Sequence, residues 1–326
     1  MGMKFSLKRL RKIEKKVFII AITQAVFTWF IIFTGLKFLM HIPSAVAMVV
    51  ASIGVATAPD IIILVTREYN IKGLLSEYLK GIVTLDDLFK ELAFFIILPI
   101  AQSLIQFQHL QNGFAFIVIK EIVLSIVLGV GLGILFSFIA NSFRKLRTLF
   151  AITLGFIFIT IGLSVLLKLH VILVSLLVGA VFTNFSREKR TIHEVLSQID
   201  APLFITFLIV NGSALSFNLL FESGVLGLSF ILTRSIGKIT GGFIGGFIAK
   251  IKKDLRNNIG WALLPQSELS IYLAILAKST LSHYGNTVFA AIIMGVVFFE
   301  IIGAPLLKNI LTRNALKSIK IPFCFI

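Results

Sequence analysis

The sequence predicts an all-α, polytopic membrane protein of about ten transmembrane helices, with inverted repeats and two proline-interrupted helices. Three observations carry that prediction. Hydrophobic residues make up 57% of the 326, charged residues only 14%, and the mean hydropathy is +1.00, far more apolar than a soluble domain of this size. Apolar runs of about 20 residues follow one another along the chain, each long enough to cross a bilayer, and the short alternating segments of a membrane barrel are missing. Basic residues punctuate the runs, so the net charge of +16 marks loops at a membrane face and not a nucleic-acid partner.

Residues 1–16 form a basic segment ahead of the first apolar run, Val17 to Met40. Ala45-Val46-Ala47 looks like a signal-peptidase site, but that run is too long for a signal core and another follows at once. It reads as an anchor helix that is retained. Ten spans are predicted, at 17–40, 43–66, 79–105, 114–140, 148–167, 169–185, 196–217, 224–249, 258–279 and 285–307. The sixth is short, and no soluble domain fits between any two of them. Cys324 is the single cysteine, so the chain has no disulfide framework of its own and no thiolate metal cluster.

The connections set the orientation. One side receives the N-terminus and segments 67–78, 141–147, 186–194, 250–257 and 308–320; with Lys80 it holds 24 of the 31 Lys and Arg. The other side holds Lys37, Lys168 and Lys278. Positive charge collects on the cytoplasmic face, so both termini are expected inside and Gln106–Gly113 outside. Spans 1–3 and 8–10 then run in opposite senses. Span 2 carries Pro59 near its middle and span 9 carries Pro265. Interrupted helices at matching places in oppositely oriented triplets indicate an inverted repeat with a site near the midplane. Proline frees the carbonyl four residues back, and a freed carbonyl in lipid must meet protein, water or an ion.

Asp86 and Asp87 lie side by side in span 3. A carboxylate at that depth costs several kcal/mol on most scales, and two neighbours cannot easily both stay ionised. Consecutive helical residues point about 100° apart, so one can hold an ion pair while the other faces water and carries a cation or proton. Lys238, within span 8, needs a carboxylate neighbour or must shed its proton; Asp86 is the expected partner. Arg234 lies one turn from Lys238, either beside it or towards the external end. Gly237, Gly241 and Gly245 make a smooth face for close packing. Thr57 and Asp60 flank Pro59 and, with freed carbonyls, offer the oxygen ligands that hard cations prefer. Gln266, Ser267 and Glu268 follow Pro265 as a matching polar cluster, in which Glu268 either titrates in the path or caps a helix. Lys90 and Glu91 lie four residues beyond Asp86 and Asp87, on the same helix faces, and Lys90 competes with Lys238 for Asp86. The five histidines lack metal-ligand spacing.

Five stretches together resemble the bacterial monovalent cation:proton antiporter-2 family, the sodium/hydrogen exchanger-like group. They are Ala56-Thr-Ala-Pro59; Thr84-Leu-Asp86-Asp87; Phe207-Leu-Ile-Val-Asn-Gly212; Arg234-x-x-Gly237-Lys238; and Gly260-Trp-Ala-Leu-Leu-Pro265-Gln266. Their order and spacing agree over roughly residues 17–307. The resemblance implies a mobile core domain and a dimerisation domain that work by an elevator-like motion. It divides the chain into core helices at 17–113 and 224–307, a linker helix at 114–147, dimerisation-type helices at 148–223 and a cytoplasmic tail from 308 to 326. It also implies that Asp87 carries the cation and proton, and that Asp86 pairs with Lys238, as in electrogenic members. Departures from the pattern are two or three helices expected ahead of the first one here, Asp60 where a small residue is common, and the added charges Lys90, Glu91 and Glu268.

The expected function is exchange of a monovalent cation, sodium foremost, for protons across a bacterial inner membrane by a homodimer embedded in lipid. No enzyme chemistry, cofactor or nucleic acid is expected, and no metal beyond the transported cation. Potassium exchange is the nearest alternative, and the lack of a nucleotide-binding domain after the helices counts against its regulated form. A non-transporting membrane subunit or sensor is the alternative from another class.

The charge asymmetry has a direct test once Cys324 is replaced. A cysteine at 110 should react with an impermeant thiol reagent added outside intact cells, and one at 254 should not. The reverse pattern would invert the topology.

Overall fold

A computed structural model describes residues 14–69, 71, 73–106, 114–169, 171–188, 191–194, 196, 202, 206, 209, 224–267, 269–281 and 284–319, and among these it contains helices, turns and no strand. Helix α1 spans Lys15–Thr34 and runs on into a π-helical turn at Gly35–Leu39. The second expected span is two helices, α2 (Ser44–Gly54) and α3 (Pro59–Glu68), with a non-helical break at 55–58. Pro59 opens α3, at the position where a missing N–H costs a helix nothing. Next come α4 (Leu74–Gln106), α5 (Phe114–Asn141), α6 (Leu146–Leu166), α7 (Val171–Phe185) and α8 (Gly224–Ile248). The ninth expected span is again two helices, α9 (Lys253–Ala262) and α10 (Leu269–Thr280), and α11 (Gly285–Ile319) closes the series.

Three boundaries differ from the sequence reading. Helix α4 begins at Leu74 instead of 79, α9 begins at Lys253 instead of 258, and α11 continues to Ile319 instead of ending at 307. All three extensions carry charge on exposed positions, Glu77 in α4, Lys253 and Asp254 in α9, Lys308 and Arg313 in α11. Long charged side chains ride an exposed helix face at no cost to the helix, so a fall in hydropathy marks where a helix leaves lipid and not where it stops. Lys308 also sets its ammonium over the Tyr69 ring, 4.3 Å from the centroid. The seventh expected span and the Phe207–Gly212 motif lie almost wholly outside the described residues.

Among the described residues, five helical segments are long and apolar enough to cross a membrane by length and composition: Lys15–Leu39, Ser44–Glu68, Ile119–Asn141, Leu146–Leu166 and Gly285–Asn314. Helices α4 and α8 are also long enough to cross a membrane. Among the described residues, the fully buried charged side chains lie on these two helices.

The chain packs as two compact units, residues 106–214 and residues 13–105 with 215–326. In the first, Gly129 and Gly133 of α5 let α7 approach: a Cβ on either would come within 2.7 Å of Leu177 or Val181. Phe136 stacks between Phe156 and Phe182, with ring centroids 4.7 and 4.3 Å away. The buried hydroxyls of Thr153, Thr160 and Ser164 bond carbonyls four residues back on α6, which satisfies them without a partner helix.

In the second unit, α8 runs antiparallel along α1. A Cβ on Gly237, Gly241 or Gly245 would lie 2.8, 2.9 or 3.1 Å from the Cα of Thr28, Gln24 or Ile20. Each four-residue step on α8 thus matches a four-residue step on α1 in the opposite direction. A second glycine face meets α9, where a Cβ on Gly242 would stand 2.6 Å from the Cα of Gly260. Small residues let backbones come this close, and the approach brings the polar side chains of α1, α4 and α8 within reach of both helix breaks.

Gly241→Ala should therefore lower the Tm of the detergent-purified protein, since overpacking a tight contact costs about 1–3 kcal/mol. Gly131→Ala, where nothing lies within 4 Å of the added methyl, should leave Tm unchanged or raise it. Equal Tm values for the two variants would show that the glycine face does not set the α1–α8 approach.

Candidate functional site

The site begins with backbone groups that the two breaks leave unsatisfied. In a continuous helix the N–H at 59 would serve the carbonyl of Val55, and proline has none. The N–H of Ala58 would serve Gly54, but it donates across to the carbonyl of Pro265 at 3.0 Å. That one bond ties the two breaks together. It also leaves the last carbonyls of α2 in need of other donors.

Two cations one turn apart on α8 supply them. Arg234, fully buried, donates from Nε to Gly54 O at 2.9 Å, from Nη2 to Ala56 O at 2.6 Å and from Nη1 to Leu264 O at 2.7 Å. Its guanidinium lies 4.2 Å from the centroid of the Phe299 ring. Lys238, also fully buried, donates to Val55 O at 2.6 Å, the carbonyl that Pro59 frees. Both cations sit where the negative end of the α2 dipole favours them.

Lys238 does more than fill a backbone vacancy. Its Nζ lies 3.1 Å from Asp86 Oδ2, 2.7 Å from Thr57 Oγ1 and 2.9 Å from Gln24 Oε1. Asp86 is wholly buried. It accepts from Thr57 Oγ1 at 2.7 Å on Oδ2 and from Gln24 Nε2 on Oδ1. A buried ion pair survives only when its remaining lone pairs and protons are also satisfied, and here each carboxylate oxygen has a neutral donor as well. An ammonium has three protons, and Lys238 has four acceptors around it. One contact can therefore open without leaving an N–H orphaned.

The structure brings together Asp86, Lys238, Thr57, Arg234 and both breaks, at Pro59 and Pro265. The oxygens expected as cation ligands, Thr57 Oγ1 and the freed carbonyls, are committed to Lys238 and Arg234 in this state. Arg234 stands at the crossing of the breaks, the first of its two expected positions. Asp60 is exposed in the first turn of α3, where a carboxylate suits the helix N-terminus, and is not drawn into the Asp86 cluster. Lys90 and Glu91 are buried one turn along α4, and both have polar or electrostatic partners. Gln266 is fully buried, and neither of its amide atoms makes a hydrogen bond with the protein. Glu268 and the side chain of Asp87 lie outside the described residues; the backbone of Asp87 continues α4.

Sequence reasoning missed Gln24. It is a neutral residue in an apolar run, and the signal that could have found it is its place four residues from Thr28 and Ile20, on the α1 stripe that faces the α8 glycines.

The family model of the transmembrane sodium/hydrogen exchangers matches residues 1–312. The chain belongs to the sodium/hydrogen exchanger family. Its activity is accordingly of the cation/proton antiport class, that of a secondary transporter and not an enzyme. Among solved structures, the sodium proton antiporter MjNhaP1 from Methanocaldococcus jannaschii, determined at pH 8, aligns at a TM-score of 0.76. The alignment covers 96% of this chain and 82% of that one at 13% identity, a likeness of fold. A comparison with curated proteins gives no match.

For an exchanger with this pair, removing one partner leaves a buried charge, which costs about 3–5 kcal/mol when burial is deep. Lys238→Ala should lower Tm, and adding Asp86→Ala should recover part of the loss. Strictly additive losses in the double variant would show that the 3.1 Å contact contributes no coupling.

Proposed function

We propose that the protein exchanges sodium for protons across a bacterial cytoplasmic membrane by alternating access, with Asp87 as the carrying carboxylate and Asp86–Lys238 as its charge partner. The observation that carries this reading is the fully buried Lys238–Asp86 contact at the crossing of two broken helices, next in the chain to a second aspartate. Intramembrane charge at broken helices is the arrangement in which transporters hold ions.

The cycle follows from the groups present. Deprotonated Asp87 binds the cation, the core carries it across, and protonation on the other face expels it. The ammonium of Lys238 occupies a set of oxygens from Gln24, Val55, Thr57 and Asp86, ligands of the type a hard monovalent cation takes. A cation arriving near Asp86 competes with that ammonium, and Lys238 gives up its carboxylate contact and releases a proton to water on the open face. Arg234 holds the crossing of the breaks throughout, since a guanidinium keeps its charge at every working pH. Proton and cation bind the same oxygens, so acid weakens sodium binding and sodium promotes proton release by linkage. Both termini are placed in the cytoplasm, and the working form is a homodimer.

Proton movement in everted vesicles on addition of sodium tests the assignment. The wild-type protein should dissipate a preformed pH gradient. Asp87→Asn, which changes volume little, should abolish the response in a protein of unchanged Tm. Wild-type rates from a well-folded Asp87→Asn protein would overturn the mechanism and move the carrier role to Asp60 or Glu268. A response to potassium that exceeds the response to sodium would assign potassium as the cargo.

A further inference from the structure

We propose that Gln24 is a positioning residue of the exchange site, an inference that rests on the antiport reading above. Its carboxamide is fully buried on α1 and bridges both members of the ion pair. Lys238 can only donate, so it must engage Oε1, at 2.9 Å. That settles the amide orientation and leaves Nε2 to donate to Asp86 Oδ1. Thr57 does the equivalent on the other oxygen, accepting from Lys238 at 2.7 Å and donating to Oδ2 at 2.7 Å. Asp86 thus keeps one neutral donor on each oxygen when Lys238 withdraws.

The main chain places Gln24 as firmly as its partners do. Gly241 lies against it so closely that a Cβ there would stand 2.9 Å from the Gln24 Cα. The residue cannot drift along α1 without moving α8. Gln24 therefore holds Asp86 in position during the interval when Lys238 has let go and the cation is entering or leaving. Its loss acts on turnover more than on sodium affinity, because Thr57 still supports the oxygen shared with Lys238.

Two substitutions separate this role from simple space filling. Gln24→Leu removes donor and acceptor at similar size. Gln24→Glu keeps an oxygen towards Lys238 but sets a second oxygen against Asp86 Oδ1, and restores a donor only when the new carboxyl is protonated. The charged groups it touches are Asp86 on α4 and Lys238 on α8, with Arg234 and Lys90 acting on Lys238 through space, and all are unchanged in both variants. Sodium-driven proton movement in everted vesicles, normalised to wild type at each pH, is the readout. Gln24→Leu should slow maximal exchange by roughly tenfold or more, the scale of one hydrogen bond to a charged group, with the apparent sodium KM changed less than about threefold on the same scale. Relative to wild type, Gln24→Glu should recover as pH falls from about 8.5 to about 6.5, where a buried carboxyl gains its proton more readily. A flat relative profile for Gln24→Glu overturns the proposal even if Gln24→Leu fails to fold, and so does a folded Gln24→Leu at wild-type rate. If the wild-type protein moves protons and both variants match it, this inference alone falls. If the wild-type protein moves none with any monovalent cation, the antiport reading falls and this one with it.

Discussion

Backbone carbonyls with no amide to serve them set the terms for the rest of this structure. The break at 55–58 strips the last carbonyls of α2 of their helical donors, and the cross-bond from Ala58 to Pro265 takes the amide that would serve Gly54. Each such group buried in a dry interior costs several kcal/mol unless a donor reaches it. Water cannot be relied on there, so the donors must come from another helix. Helix α8 supplies them as two cations, and cations bring their own requirement for carboxylate. From two prolines one arrives, step by step, at a buried Asp86 and a glycine face that lets α8 come close enough to reach it.

The two cations do different work because their chemistry differs. Arg234 spends its N–H groups on backbone carbonyls from both breaks and stacks on Phe299. Its planar, permanently charged fork suits a fixed clamp. Lys238 makes one backbone contact and three to side chains. An ammonium on a flexible stem can give up a proton, and Lys238 has one acceptor more than it has protons to donate. In the cycle proposed above, the clamp stays closed while the switch one turn away changes partner, which keeps a change of charge from becoming a loss of fold.

Much of this was legible in the chain. Hydropathy gave the helical membrane class, and Pro59 and Pro265 marked both breaks, because proline acts locally and its consequence does not depend on tertiary context. The Asp86–Lys238 contact was legible because unpaired charge at depth is too costly to leave without a partner. What escaped notice depends on approach between distant segments. Gln24 carries no charge, so nothing in its neighbourhood of the sequence demands a partner; its role exists only because α8 glycines place it between Lys238 and Asp86. Thr57 and the freed carbonyls read as cation ligands by type, and only the geometry shows that the protein's own cations hold them in this state. Asp60 had the right residue type and lay one position after the proline, yet the restart of the helix at Pro59 turns it to an exposed first turn. The ends of α4 and α11 were misplaced because exposed charge on a continuing helix looks, in one dimension, like a loop.

The neutral groups explain how so much charge is tolerated. A bare lysine–aspartate pair in a dry interior gives back in desolvation much of what it gains by attraction, and losing either partner leaves the other exposed to that cost. Gln24 and Thr57 each touch both ions, accepting from the ammonium and donating to the carboxylate. With them in place, the carboxylate still has donors when the ammonium leaves, and the ammonium still has acceptors when the carboxylate turns to another cation. Under the proposed exchange, a site that changes its charge every cycle needs partners that do not change theirs. Two neutral side chains, one from α1 and one from the break beside α2, meet that need at the place where the charge has to move.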